Sequence, residues 1–192
     1  MKLVLATHNQ GKVEELRAIL EPAVEGLELI GYDGPEPIED GTTFAENALI
    51  KARAANAFTG NPAIADDSGI TVEILGGSPG IFSARWSGQK DDEANRKLLL
   101  AQMQDVRDEH RAASFVCTIA LVDGPDEITC TGVWLGQLAK SERGANGFGY
   151  DPIFIPDGFE QTAGELPPEV KNQFSHRALA VEQLVAILAT RL

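Results

Sequence analysis

Asp66 and Asp67 stand side by side behind the apolar residues Ala63, Ile64 and Ala65 and are followed by Ser68 and Gly69. Paired carboxylates suit a hard divalent cation or the activation of a water molecule. Neighbouring strand residues point to opposite faces, so both acids serve one cation only if the chain bends there. Magnesium takes few carboxylates and keeps waters and phosphate oxygens, so one of the two acids with Glu39 from the preceding loop would suffice. The same residues also read as a pair of solvated turn acids.

Three other blocks carry matching chemistry. Thr7-His8-Asn9-Gln10-Gly11-Lys12 joins the end of a strand to the start of a helix. Free backbone N–H groups and the helix dipole favour an anion there, and Lys12 adds a full charge. An ordinary turn with a surface lysine fits equally well, and the Walker A pattern occurs nowhere in the chain. Gly144-Ala145-Asn146-Gly147-Phe148-Gly149-Tyr150-Asp151-Pro152 sets glycines on both sides of Phe148. A backbone so built can approach a flat ligand while the ring stacks, or the aromatics can plug a core. Lys171-Asn172-Gln173-Phe174-Ser175-His176-Arg177 places His176 and Arg177 in the first turn of a helix capped by Ser175. Cations oppose the positive end of a helix dipole, so these side chains need a compensating anion or must reach out to solvent. His8 and His110 default to loop or surface roles.

The elements that must position these groups follow from periodicity. Residues 2–6 read as a strand and are followed by a helix with Val13, Leu16 and Leu20 on one face. Residues 27–32 read as a second strand. A helix is expected from Thr43 to Phe58, with Phe44, Ala48, Ala52 and Ala55 in one stripe and Thr43 and Glu46 spaced as a capping box. Residues 62–65 read as a short strand that ends at the two acids, followed by the alternating Ile70, Val72 and Ile74. Residues 76–90 are loop by their Gly and Pro content, and 91–104 a helix with Ala94, Leu98 and Leu99 inward. Residues 111–122 and 128–135 form a hairpin. Pro167 and Pro168 interrupt the chain, and a last helix turns Leu179, Leu184 and Leu188 inward. Strands mixed with helices predict an α/β protein with a mixed central β-sheet flanked by helices, in one domain over 1–192.

Composition bounds the function classes. The 192 residues carry 16 Lys and Arg against 29 Asp and Glu, a net charge of −13, so the mean field repels polyanions and argues against a DNA or RNA coat. A few converging cations can still hold a small anion, because salt screens charge beyond roughly 8–10 Å. No apolar run approaches the roughly 20 residues of a membrane span, and a cytoplasmic location is expected. Cys117 and Cys130 each lie in a strand-like segment, as reduced core thiols do.

These blocks, in this order, resemble the inosine-triphosphate pyrophosphatase family, which includes bacterial dITP/XTP pyrophosphatases. The resemblance covers essentially the whole chain. It is carried by the residues 7–12 block, by Glu39-Asp40-Gly41-Thr42-Thr43-Phe44-Ala45-Glu46-Asn47-Ala48 with Lys51, and by Asp66-Asp67-Ser68-Gly69. Gly76-Gly77-Ser78-Pro79-Gly80 with Ser83-Ala84-Arg85, then Gly147-Phe148-Gly149-Tyr150-Asp151-Pro152, and Lys171-Asn172 with Ser175-His176-Arg177 complete it. Gly164 and Trp86 sit where other residues are common, which leaves the proposed catalytic positions untouched.

The resemblance implies an elongated two-lobed fold, an active-site cleft between the lobes, and a homodimer. It implies Mg2+-dependent hydrolysis of ITP, dITP and XTP to the monophosphate and pyrophosphate, which keeps such nucleotides out of DNA and RNA. Asp67 is then the expected general base and a metal ligand, with Glu39 the second metal carboxylate. Thr7, His8, Asn9, Gln10, Gly11, Lys12, Lys51 and Ser68 are the expected triphosphate cradle. Phe148, Gly149, Tyr150, Asp151, Lys171, His176 and Arg177 are the expected base and phosphate pocket. The expected partner is thus a small nucleoside triphosphate, with neither nucleic acid nor membrane. Three alternatives stay open: a Maf-type pyrophosphatase with another base preference, a nucleotide-sensing module without turnover, and a glycosidase. Acids that diverge on a strand, with no sugar platform, disfavour the last.

Overall fold

The structure is a computed structural model and describes residues 2–189. Its sheet has the strand order β2-β1-β3-β4-β5-β6, with β1 (Lys2–Leu5), β2 (Glu28–Gly31), β3 (Ala63–Val72), β4 (Ala112–Asp123), β5 (Asp126–Leu138) and β6 (Phe154–Pro156). β1 pairs in parallel with β2 and with β3, whereas β5 and β6 are antiparallel, so the sheet is mixed as expected. The chain forms two compact units, and the division falls inside β3, β4 and β5.

The first unit comprises the described residues of Met1–Asp67, Cys117–Gly132 and His176–Leu192. Successive strand residues face opposite ways, which gives it two apolar layers. Leu3, Leu5 and Ile64 pack with Leu16 and Leu20 of α1 (Gln10–Ala23) and with Val181, Leu184 and Leu188 of α5 (His176–Leu188). Val4, Ala6, Ala63 and Ala65 pack on the other side with Ala48, Ala52 and Ala55 of α2 (Phe44–Thr59). The small side chains of that second layer let α2 approach the strands closely. Its start is fixed by the capping box between Thr43 and Glu46, and Gly60 ends it in the left-handed region at φ 67°. Cys117 and Cys130 are free and buried.

The second unit comprises Ser68–Val116 and Val133–Ser175. Its core gathers Ile70, Val72, Phe115, Trp134, Leu138 and Phe154 from the strands, with Leu99 and Met103 from α3 (Asp92–Gln102) and the residue that follows it. Phe154 meets Phe115 and Trp134 edge-on, at centroid distances of 4.6 and 5.6 Å.

Three expectations are corrected. The strand expected to end before Asp66 continues through both acids to Val72. Gly69 makes this feasible, because a Cβ there would lie 2.3 Å from Ser83 Oγ, and that hydroxyl instead accepts the N–H of Ile70 at 3.0 Å. In α3 the inward face carries Asn95 and Leu99, while Leu98 is 36% exposed. Pro168 does not break the chain but opens α4 (Pro168–Phe174), where its missing N–H is no loss.

The two leucines of α3 provide a test. Leu99→Ala should cost about 2–5 kcal/mol and Leu98→Ala less than about 1 kcal/mol, read from urea unfolding of each variant. Equal losses would place Leu98 in the core.

Candidate active site

The two-layer order of the first unit decides where the acids go. Asp66 follows Ile64 toward the α1 and α5 side, and Asp67 follows Ala65 toward α2. The acids therefore diverge without any bend in the strand, and each meets a different set of cations.

Asp66 has a fully buried side chain. Its Oδ2 lies 3.0 Å from Lys12 Nζ and accepts from Arg177 Nη2 at 3.2 Å. Arg177, 1% exposed, also donates to Glu15 of α1. The cation at the start of α5 thus has the compensating anions that its place on the helix dipole demands. Burial alone would raise the Asp66 pKa, but Lys12, Arg177 and Lys51 outweigh it and hold the carboxyl well below the usual range. The thiol of Cys117, 3.9 Å from Asp66 Oδ2, is pushed up to about 12 by burial and by that carboxylate.

Asp67 faces α2. Asn47 Nδ2 donates to its Oδ2 at 3.1 Å, and its Oδ1 lies 3.7 Å from Lys51 Nζ. The same ammonium lies 3.4 Å from Glu39 Oε1, so carboxylates from two separated stretches share one cation. Burial raises the Asp67 pKa, partly offset by Lys51 and Lys12, and the net shift is upward. Among the described residues no group of three or more His, Cys, Asp or Glu side chains could hold a metal. Two hard carboxylate oxygens around a single positive charge are nevertheless the kind of donor set magnesium accepts.

Asn47, part of a block quoted above but given no role there, joins the acids of this site. It is 1% exposed, and its Oδ1 accepts the N–H of Gly41 at 3.0 Å while its amide holds Asp67. One side chain therefore ties the Glu39 loop to the strand acid. Gly41 permits this, because a Cβ there would lie 2.7 Å from Asn47 Oδ1. The available signal was an amide one turn before Lys51 on the same face as an alanine stripe. Glu15 likewise escaped notice. Glu46 is spent on the cap, its carboxylate accepting from Thr42 and Thr43.

The 7–12 turn sits at the α1 N-terminus. Thr7 Oγ1 accepts from Asn9 N–H at 3.2 Å, and Asn9 caps the helix by accepting from Lys12 N–H at 3.1 Å. Gln10 is exposed and Gly11 half-buried. His8 turns aside to Glu36, at 2.8 Å, and to the Tyr32 carbonyl, at 3.1 Å, and stacks on the Tyr32 ring. His176 is buried at the start of α5.

The second unit brings together Phe148, Gly149, Tyr150, Asp151 and Lys171. Asp151 Oδ2 accepts from Phe148 N–H at 2.8 Å and from Lys171 Nζ at 2.5 Å. That ammonium lies 5.0 Å from the centroid of the Phe148 ring. Gly147, at φ 72°, leaves the space in which a Cβ would lie 2.0 Å from the Asp151 carboxylate. Tyr150 donates to the Ser83 carbonyl at 2.7 Å and is buried, while Phe148 stays half-buried. Ser68 is half-buried.

Comparison with known proteins adds a second line of observation. The profile of the Ham1 family matches residues 3–187. A protein of Leifsonia xyli subsp. xyli named dITP/XTP pyrophosphatase is 56% identical, over 98% of this chain and 96% of its own length. One of the same name from Pseudomonas aeruginosa is 47% identical over 95% and 94%. The solved structure of a HAM1 protein from Coxiella burnetii has a TM-score of 0.89 at 42% identity, covering 99% of both chains.

The charge network predicts a pH dependence. The folded pKa of Asp66 is depressed, so its stabilisation is present above the unfolded value of about 3.9 and fades as pH falls below it. Asp66→Asn should therefore lower stability at neutral pH and flatten its decline between about pH 4 and about pH 2, followed by urea unfolding. An unchanged slope would show that Asp66 is not held low.

Proposed function

We infer that this chain, which belongs to the Ham1 family, is a nucleoside-triphosphate pyrophosphatase that hydrolyses non-canonical purine nucleotides such as dITP and XTP. The observation that carries the residue-level reading is the meeting of Glu39 and Asp67 at Lys51, beside Lys12 on the strand's other acid.

In this reading Lys12, Lys51 and the N–H groups at the start of α1 bind the triphosphate, whose charge the net −13 surface would otherwise repel. Thr7, Asn9, Gln10, Gly11 and Ser68 shape that cradle. Mg2+ would be held by Glu39 and Asp67 and would neutralise charge on the phosphate oxygens. Asp67 accepts the proton of the attacking water as the bond between the α and β phosphates breaks, giving the monophosphate and pyrophosphate. Its upward-shifted pKa suits that task, because a stronger base takes the proton more readily. Asn47 holds Asp67 in place. The base is assigned to Phe148, Gly149, Tyr150, Asp151 and Lys171. Arg177 serves by fixing Asp66, which in turn meets Lys12, and His176 stays assigned to the base and phosphate pocket.

Base choice follows from hydrogen-bond edges. Hypoxanthine and xanthine offer an O6 acceptor and an N1–H donor, and adenine offers the reverse. A wrong edge leaves buried groups unsatisfied at about 1–3 kcal/mol each, enough for at least a tenfold bias. Guanine shares the edge, so its rejection rests on the 2-amino group. A homodimer and a cytoplasmic location complete the proposal. No described helix is long and apolar enough to cross a membrane.

A triphosphate panel with pyrophosphate detection tests the reading. We expect kcat/KM for ITP, dITP and XTP to exceed that for ATP and GTP by about tenfold or more, with activity lost in chelator and restored by Mg2+. Equal rates on all five would remove it. Asp67→Asn should lose about 10²–10⁴-fold in kcat while remaining folded, and a variant that kept wild-type turnover would relieve Asp67 of its role.

A further inference from the structure

Gly149 is gripped on both sides of its backbone by one helix. Its N–H donates to Asp92 Oδ2 at 2.8 Å, and its carbonyl accepts from Arg96 Nη1 at 2.8 Å. Asp92 and Arg96 are four residues apart on α3 and so share a face. Neither takes part in the chemistry described above.

The helix that carries them is itself fixed. Asp91 caps it by accepting from Ala94 N–H. Asn95, 1% exposed, accepts from Ser87 N–H at 2.7 Å and donates to the Ala84 carbonyl at 3.2 Å. Leu99 anchors the next turn in the core. Glu142, with a carboxylate oxygen 3.2 Å from Arg96 Nε, steers the guanidinium toward the loop. Gly149 has φ 60°, so its backbone lies in the left-handed region, and two charged partners select that conformation from the many open to glycine. On the preceding peptide Asp151 takes the N–H of Phe148. The Phe148 backbone is therefore pinned at its own amide and again one residue later.

We propose that Asp92 and Arg96 are positioning residues for base recognition, which fix the attitude of Phe148 through Gly149 and thereby set affinity for purine triphosphates and the choice among them. This rests on the assignment of Phe148 to the base made above. A loop held in its binding conformation spends no ligand affinity on ordering. A released loop does, and its looser polar groups discriminate less between base edges. Because the reacting bond is handled by Asp67 and the lysines, the loss belongs in KM and in specificity rather than in turnover.

The test compares Arg96→Met, Asp92→Ala, Arg96→Lys and, as a control on the same helix, Lys97→Met. Lys97 is exposed and pairs with Glu93. Hydrogen exchange of residues 145–151 in the free protein reads the grip, and steady-state kinetics with ITP and GTP read its consequence. We expect faster exchange at Gly149 in R96M and D92A, KM for ITP raised about tenfold with kcat within about twofold, and a narrower preference for ITP over GTP. R96K should recover part of the change and K97M should show none. Wild-type exchange and KM in folded R96M and D92A would overturn the proposal, as would a fall in kcat at unchanged KM. A wild-type protein that released no pyrophosphate from ITP would instead defeat the functional reading, with exchange and calorimetric titration of ITP still deciding the role of the grip.

Discussion

A carboxylate shut away from water survives ionised only where cations meet it, and β3 satisfies that condition twice in successive residues. Pleating sends Asp66 and Asp67 to opposite faces, and each face presents its own lysine, from α1 on one side and α2 on the other. The pairing is more than local neutralisation. Lys12 and Lys51 each act on both acids, so the two faces form one electrostatic system divided by a strand. Removing one partner of such a set strands the others in a poorly solvated place, which is why the arrangement specifies the geometry more sharply than apolar packing would.

The two acids are nonetheless held differently. Asp66 is the better compensated, with Lys12 and Arg177 bringing it far down. Asp67 keeps the mark of burial, which Lys51, shared with Glu39, and Lys12 offset only in part. Neighbouring residues of identical type thus diverge in basicity because their surroundings differ. The more basic one faces the loop that brings a second carboxylate.

Much of this was legible in the sequence. The period-two alternation at Ile64, Ala65, Asp66 and Asp67 foretells divergent acids, and the mismatch of Arg177 with its helix dipole asks for a compensating anion or a reach to solvent, of which the fold uses the first. The capping box at Thr43 and the alanine stripe gave α2 to within a residue at its C-terminal end. Other features rest on long-range contact and left no local trace. The strand runs on past Asp67 because Ser83, thirteen residues away from Ile70, supplies the missing acceptor. Leu98 and Leu99 are both apolar, and only tertiary packing decides that Asn95 accompanies Leu99 inward. The linking part played by Asn47 depends on how closely Gly41 can approach, which no spacing rule expresses.

The contact between Asp66 and Arg177 joins residues 111 positions apart, and Arg177 reaches Glu15 across 162. During synthesis the acid on β3 therefore emerges from the ribosome long before its guanidinium. Until α5 is made, Asp66 can meet Lys12 but lacks its second counter-charge. The surroundings of Lys12 are thus completed only once a contact of this sequence separation can form, late in folding.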